Sequence, residues 1–238
     1  MEGLSRDELF LIAIELDLPE LLRFCGSSSR INNIICQQDP IWRYRLSRDY
    51  PNYRKFTFNT NKSLRSTYNS LYRINQLKQK LGLNLSLLEI YNLKLLEIDG
   101  DNDTKISVLP SEIEELVNLQ RLWLPNNNLE SLPLELSKLT NLEELILDGN
   151  SFTKFPSVIT KMPQLIFLSI HSNHIKTLPR EIGKLVNLTE INLASNKLQT
   201  LPLEMTNMNN LTDMVLGDNE DLVIPPEIEQ MENLDIMR

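Results

Sequence analysis

The feature that most constrains the fold of this chain is a sequence repeat with a period of 23 residues. A leucine, an asparagine and a proline recur in one phase, at fixed distances from one another in each copy. The recurring residues are Leu119, Leu142, Leu165, Leu188, Leu211 and Leu234, then Asn127, Asn150, Asn173, Asn196 and Asn219, and then Pro133, Pro156, Pro179, Pro202 and Pro225. Chance does not hold three residue types in one phase over so many copies, so the period predicts a solenoid of stacked repeats.

One copy of the repeat contains all the signals of such a unit. Leu122 and Leu124 alternate around Trp123, which predicts a short strand with one side facing inward. Asn127 follows where the chain turns away, and its amide can satisfy backbone groups that the turn leaves unpaired. Pro133 has no N–H and cannot extend a strand, so it directs the chain along the far side. Apolar residues three positions apart on that side predict a helical or 3₁₀ turn.

The repeat resembles the leucine-rich-repeat family, in its short intracellular form with a Leu-Pro step. The resemblance covers residues 93–238 and includes an earlier copy with Asp101 in the asparagine position and three extra residues near 102–105. It implies an α/β solenoid, a leucine-rich-repeat horseshoe of 23-residue repeats, with a partner-binding concave face. Each repeat has an apolar face that only its neighbour covers, so the recurring residues themselves are structural.

Function is therefore expected on the strand positions between the leucines, which form the concave face. The predicted partner-binding residues are Arg121, Trp123, Glu144, Ile146, Phe167, Ser169, Glu190, Asn192, Asp213 and Val215. Trp123, Ile146 and Phe167 are large and apolar on three consecutive strands, and such an exposed patch is typical of a binding site. The predicted acidic rim consists of Glu144, Asp148, Glu190 and Asp213. Alternatively, connector residues fold back over the patch.

Residues 1–50 have a helical period instead. Leu9, Ile12, Ala13 and Leu16 mark one amphipathic helix, and Pro19 can open the next. The pattern predicts a small all-α unit of three short helices, close to the lower size limit for an independent core.

A longer motif runs through this segment. Its residues are Leu4, Glu8-Leu9, Ile12, Leu16, Leu18-Pro19-Glu20-Leu21-Leu22, Phe24-Cys25, Ser29-Arg30, Ile34, Trp42 and Leu46. On these residues the segment resembles an F-box. Two positions depart from the family pattern: Ser5 follows Leu4 in place of a proline, and Ile31 stands where an aromatic residue is common. The combination of an F-box with leucine-rich repeats is similar to proteins of large DNA viruses of amoebae.

The F-box resemblance implies docking on a Skp-type adaptor, which joins a cullin ubiquitin ligase, while the repeats capture a substrate. The residues expected at or near the adaptor interface are Leu9, Ile12, Leu16, Pro19, Leu21 and Leu22. Each of them also fits internal packing of a small bundle, and Trp42 fits the core better than an interface.

We expect three segments: an F-box-like domain at 1–50, a helical connector and solenoid cap at 51–92, and the repeat domain at 93–238. Within the connector, Leu64, Tyr68 and Leu71 repeat at helical spacing. The alternative is a plain interaction scaffold, in which residues 1–50 only cap the solenoid.

Charge divides the chain in two, although the net charge is -8. Residues 1–80 carry 13 basic and 8 acidic side chains, whereas residues 81–238 carry 11 and 24. An acidic solenoid repels phosphate backbones, so we expect no nucleic-acid ligand and favour a basic protein substrate. Alternatively, the charge only maintains solubility. The basic side chains Arg43, Arg45, Arg48, Arg54 and Lys55 are interpreted as a solvated face.

Other functional classes lack their sequence signals. There is no apolar run long enough for a membrane span and no secretory leader pattern in the first residues. Cys25 and Cys36 both precede the repeats, so no disulfide module caps the solenoid. We therefore expect a monomer in the reducing cytoplasm, the host's if the protein is viral, with the sequons at Asn84, Asn187 and Asn210 unused.

No phosphate loop, metal-ligand spacing or nucleophile with a base is found, so we expect neither enzymatic activity nor a cofactor. His171 and His174 flank Asn173 on one turn, without a carboxylate or thiolate partner in the sequence pattern. We expect no metal site there. Cys25 lies on an apolar helix face and is interpreted as a small core residue.

Overall fold

The structure is a computed structural model that describes residues 3–56, 63–102 and 105–238. The chain forms two compact units, residues 1–76 with 86–88 and residues 77–85 with 89–238. We call them the helical unit and the solenoid. Met1, Glu2 and residues 103–104 of the predicted insertion lie outside the described residues. The domain boundaries predicted from the sequence stay a prediction.

The helical unit is built from short helices joined by tight turns. Its elements are α1 (Arg6–Glu15), α2 (Leu18–Gly26), α3 (Ser29–Ile31), a π-helical turn (Asn32–Cys36), α4 (Asp39–Asp49), a 3₁₀ turn (Tyr53–Lys55) and most of α5 (Leu64–Lys80). Capping boxes begin the first two helices, with Ser5 and Glu8 at α1 and Asp17 and Glu20 at α2. The sequence predicted three helices in residues 1–50, whereas the structure separates a fourth, because Pro40 starts α4 afresh.

The helical unit has its own apolar core. Leu9, Leu21 and Trp42 are buried there, and the Trp42 indole N–H donates to the Cys36 carbonyl at 2.7 Å. The prediction that Trp42 belongs to the core is confirmed. Cys25 is buried as predicted, but it forms a disulfide with Cys36, which the sequence analysis did not predict. The disulfide lies in the helical unit.

Arg45 corrects the interpretation of the basic stretch as a solvated face. Its side chain is only 2% exposed, and its guanidinium donates to the carbonyls of Ala13 and Leu16 at 3.3 and 2.6 Å. These are carbonyls at the end of α1, where the helix leaves acceptors unpaired and carries partial negative charge. The guanidinium also donates to the Tyr68 hydroxyl at 3.1 Å, so a buried cation completes the helix end.

Asp49 balances this buried charge. The Tyr68 hydroxyl donates to it at 2.6 Å, and Arg48 forms an ion pair with it at 2.6 Å. Burial alone would raise the pKa of the Asp49 carboxyl, but hydrogen bonds from Arg48 and Tyr68 and the charges of Arg48 and Arg45 hold this pKa below its ordinary value. Burial, aided by Asp49, raises the pKa of Tyr68 to about 12.

The solenoid contains one parallel sheet whose strands follow chain order. The strands are β1 (Leu95–Glu97), β2 (Arg121–Trp123), β3 (Glu144–Ile146), β4 (Phe167–Ser169), β5 (Glu190–Asn192), β6 (Asp213–Val215) and β7 (Asp235–Met237). From β2 to β6 each residue pairs with the residue 23 positions later, as the sequence period predicted. The first step spans 26 residues, from Leu96 to Leu122, and the last spans 22, from Met214 to Ile236.

The recurring asparagines satisfy the turns after the strands, as predicted. In Asn173, the side-chain oxygen accepts from the Phe152 backbone N–H at 3.0 Å. Its amide nitrogen donates to the carbonyls of Leu147, Ile170 and His171 at 3.1 to 3.2 Å. Equivalent bonds are made by Asn150, Asn196 and Asn219.

A second amide series, not predicted, lies just before the strands. Each member donates to a backbone carbonyl of the preceding copy at 2.8 to 2.9 Å. The members are Asn118, Asn141, Gln164, Asn187 and Asn210. Their common spacing of 23 residues was the available signal.

The far side of the solenoid consists mainly of short 3₁₀ helices. Four of them are Ser111–Glu115, Leu134–Lys138, Arg180–Lys184 and Leu203–Asn207, and each begins directly after the proline of a Leu-Pro step. Apolar residues three positions apart, such as Leu136 and Leu139, are fully buried there, which confirms the predicted turn. Within the described residues, every helix is too short or too polar to cross a bilayer.

Candidate functional site

In β1 to β6 the central residue of each strand is buried, in β7 the central Ile236 is partly buried, and the two flanking residues point to the opposite side. We call the flanking residues together the strand face. The parallel register arranges them in two columns. The first column is Leu95, Arg121, Glu144, Phe167, Glu190, Asp213 and Asp235, and the second is Glu97, Trp123, Ile146, Ser169, Asn192, Val215 and Met237. All ten residues predicted for partner binding belong to these columns.

Three large apolar residues occupy the middle of the strand face. Trp123 and Ile146 are direct neighbours in the second column, and Phe167 lies on the next strand in the first. All three are partly exposed, so their side chains form an apolar centre on the face. The Arg121 guanidinium lies 5.7 Å from the centroid of the Trp123 ring, a cation–π distance. The Trp123 indole N–H is buried and has no acceptor within the described part of the chain.

Ser169 does not lie on the surface as predicted. It is 2% exposed, and its hydroxyl donates to a carboxylate oxygen of Asp148 at 2.6 Å. The same oxygen accepts from the His171 backbone N–H at 3.0 Å. Asp148 is therefore held by Ser169 and His171 with its side chain 17% exposed, and its place in the acidic rim stays a prediction.

His171 has the carboxylate partner that the sequence pattern did not reveal. Its Nε2 lies 3.3 Å from Asp148, and its Nδ1 lies 2.8 Å from the Ser172 hydroxyl. Burial raises the pKa of Asp148, against the opposing hydrogen bond from Ser169 and the charge of His171. Within the described ranges, no group of three or more side chains could hold a metal ion.

The remaining acidic side chains of the strand face carry uncompensated charge. Among the residues that the structure describes, no cation lies within 4.0 Å of Glu97, Glu144, Glu190, Asp213 or Asp235. Asp213 accepts only a hydrogen bond from Thr212, at 2.6 Å. Arg121 is the single basic residue in the two columns. The strand face therefore combines an apolar centre with excess negative charge.

Carboxylates beside the 3₁₀ helices are arranged differently. Glu112 pairs with Lys80 at 2.7 Å, and Glu204 pairs with Arg180 at 3.7 Å. Glu114 also forms an ion pair with Lys138. Since cations do neutralise acids on that side of the solenoid, the unpaired charge of the strand face is not a uniform property of an acidic chain.

The residues predicted for adaptor docking have mixed exposure. Leu9 and Leu21 are fully buried in the helical unit, so they support the packing alternative. Ile12 and Leu22 are each 38% exposed, Pro19 is exposed and Leu16 is partly buried. Leu11, at 61% exposed, is a further accessible apolar residue of α1 that was not predicted. The sequence feature that could have identified Leu11 is an apolar residue at a helix position outside the buried face of α1.

Comparison with known proteins supports the fold. The family profile for leucine-rich repeats in two copies matches residues 117–158. A leucine-rich-repeat protein of Leptospira interrogans is 28% identical over 72% of this chain and 56% of its own, with a TM-score of 0.50. The ectodomain of the Arabidopsis thaliana receptor kinase GASSHO1/SCHENGEN3, in complex with a CASPARIAN STRIP INTEGRITY FACTOR, is 26% identical over 54% of this chain and 16% of its own, with a TM-score of 0.47.

The chain thus has the predicted leucine-rich-repeat solenoid fold with a helical region before it. It spans only about half of the Leptospira protein and a smaller share of the plant receptor. The search of curated protein sequences returned no match.

Proposed function

We propose that this protein is a non-enzymatic interaction module whose strand face binds a protein partner. The leucine-rich-repeat fold suggests protein–protein interaction. The observation that carries the proposal is the apolar centre of Trp123, Ile146 and Phe167 among unpaired carboxylates. A central apolar anchor with a charged surround is the common anatomy of a protein interface. The residues proposed for contact are those predicted above, except that Ser169 acts from beneath the surface.

We further propose that the helical unit acts as an F-box and docks a Skp-type adaptor of a cullin ubiquitin ligase, so that the protein serves as the substrate-recognition subunit. The F-box-like motif supports this assignment, as do the accessible apolar side chains of Leu11, Ile12 and Leu22 on the first two helices. Leu9 and Leu21 support that surface from the core.

Adaptor docking is tested by a pull-down with a purified Skp-type adaptor. The native chain should be captured, and the variant Ile12→Asp, Leu22→Asp should not, because a buried carboxylate without a partner costs several kcal/mol. The variant Ser47→Asp, Asn52→Asp adds the same charge at exposed positions of the unit and should still be captured. Capture of none of the three folded proteins would leave the non-ligase scaffold, whose helices serve only as a cap.

The proposed ligase role places the protein in the cytoplasm, that of the host if it is viral, as a monomer. The Cys25–Cys36 disulfide offers a direct test, because cytosolic glutathione keeps most thiols reduced. Alkylation of protein trapped rapidly from cells should modify both cysteines. A disulfide that survives trapping would instead place the protein in an oxidising compartment.

A further inference from the structure

The strand face is electrostatically asymmetric along the direction in which the strands stack. In the first column, Phe167 registers with Glu190, Glu190 with Asp213 and Asp213 with Asp235. Three consecutive acidic positions therefore follow the apolar centre in a line. The second column contributes no cation beside them, since it contains Asn192, Val215 and Met237 in the same strands.

From this line we propose that the partner presents a basic protein segment, in which a large apolar side chain is followed by two lysines or arginines. The inference rests on the proposed binding function of the strand face and specifies its ligand. Carboxylates carried by strands about 5 Å apart repel one another, and only a cation from outside the chain can relieve that repulsion where none is supplied internally. A phosphate backbone would increase it.

Strand spacing sets the spacing of the basic residues. Neighbouring strands lie about 4.8 Å apart, so Glu190, Asp213 and Asp235 follow Phe167 by roughly 5, 10 and 14 Å. In an extended segment, side chains on one side recur about every 7 Å. With its apolar side chain against Phe167, the segment would place the next two side chains of that side near 7 and 14 Å. A cation at the first position lies between Glu190 and Asp213, and one at the second lies near Asp235.

The opposite end of the column contains the only strand-face cation. Arg121 lies two strands before Phe167, and its guanidinium rests over the Trp123 ring. Glu97 and Glu144 lie at that end with Arg121, so a basic segment would meet charges of both signs there and only carboxylates at the other end. The arrangement therefore favours the direction in which the basic residues follow Phe167 towards β7, since contact with Arg121 disfavours the reverse orientation.

The test uses a fluorescent, end-capped probe peptide with the core Phe-Gly-Lys-Gly-Lys and a partner probe with glutamates in place of the lysines. Binding to the full chain is measured by anisotropy at low and physiological salt. We expect saturable binding of the basic probe only, weakened by salt. Glu190→Gln with Asp213→Asn should weaken it about tenfold, whereas Glu130→Gln with Glu181→Gln, equal in charge but off the strand face, should change it less than about twofold. Circular dichroism confirms that each variant is folded.

Failure to bind the basic probe, or equal loss in both double variants, would overturn the basic-segment inference. A second measurement distinguishes failure of the basic-segment inference from failure of the proposed binding function of the strand face. Proteins captured by the full chain are retested with Trp123→Ala, Phe167→Ala and with Glu190→Gln, Asp213→Asn. Dependence on the aromatic pair alone would retain the strand face as a binding site and reject a basic ligand. Dependence on neither pair would reject both proposals, and dependence on both would support both.

Discussion

The helical unit and the solenoid satisfy their buried polar groups in different ways. In the helical unit, two cations, Arg45 and Arg48, bond to the carbonyls that end α1, and a single disulfide joins Cys25 to Cys36. In the solenoid, one amide bonding pattern is repeated from copy to copy, as at Asn150 and Asn173. A bonding arrangement that occurs only in one place produces no recognisable sequence pattern. An arrangement that occurs in every copy appears in the sequence as a 23-residue period. The difference also predicts how the stability of each unit responds to substitution of the bonding residues and to reduction of the disulfide.

The largest effect is expected for the amide series of the solenoid. Asn173→Ala removes the acceptor for the Phe152 N–H and the donor to three carbonyls, all in a buried turn. We expect the free energy of unfolding to fall by about 4 kcal/mol, measured by urea denaturation. Asn187→Ala, which removes one exposed bond to the Pro163 carbonyl, should cost less than about 1 kcal/mol. Equal losses of unfolding free energy in the two variants would show that the buried asparagines contribute no more to stability than the exposed amide series.

A somewhat smaller effect is expected for the buried cation of the helical unit. Arg45→Met keeps the aliphatic stem but leaves the carbonyls of Ala13 and Leu16 without a donor. We expect a loss of about 3 kcal/mol in the unfolding of this unit. Arg43→Met on the exposed side of the same helix should stay within about 0.5 kcal/mol. A stable Arg45→Met protein would mean that the apolar core alone determines the packing.

Reduction of the disulfide should distinguish the two units directly. The closed loop between Cys25 and Cys36 restricts the unfolded chain, and opening it should destabilise the helical unit by roughly 2–3 kcal/mol. The rest of the chain contains no further cysteine, so unfolding of the solenoid should be insensitive to reductant. Thermal melts with and without dithiothreitol measure both responses, with Trp42 fluorescence followed in a Trp123→Phe variant and Trp123 fluorescence followed in a Trp42→Phe variant. A shift of both signals by the same amount would indicate that the two units unfold together.

The smallest effect concerns two aspartates whose pKa shifts have opposite signs. The raised pKa of Asp148 means that its contribution to stability is present below the ordinary pKa and is lost as pH rises through the raised one. Asp148→Asn keeps an oxygen acceptor, so at pH 7.5 it should be neutral or stabilising by less than about 1 kcal/mol.

The pKa of Asp49 is lowered, so its contribution is present above the ordinary pKa and is lost as pH falls through the lowered one. Asp49→Asn should therefore destabilise the helical unit at the same pH. Denaturation curves at pH 3, 5 and 7.5 check both signs. Destabilisation by Asp148→Asn at pH 7.5 would contradict the unfavourable burial of that carboxylate.

The parts of the fold that the sequence revealed are the periodic ones. Leu122, Asn127 and Pro133 each recur with a known steric or hydrogen-bonding role, so strands, turns and the far side could all be placed in advance. Arg45 could not be placed, because an arginine normally indicates a surface and its acceptors lie about thirty residues away in the chain.

The candidate site was predictable by position but not by exposure. Strand alternation correctly identified the columns that contain Trp123 and Phe167. It did not reveal that Asp148 from the preceding copy covers Ser169, since that contact depends on the side-chain conformations of two repeats. Leu9 and Leu21 show the same limit in the helical unit, because an amphipathic period does not tell an interface residue from a core residue.

The unequal copy lengths have a consequence for how such a protein can diverge. Steps of 26, 23 and 22 residues all connect three-residue strands that remain paired in order. Insertions and deletions are thus accommodated in the connecting segments, where a change in loop length alters the closure entropy only slightly. Copies of different length can be exchanged or extended by recombination while the two columns of the strand face keep their alignment. The residues of the strand face and the length of the connectors are therefore free to evolve independently.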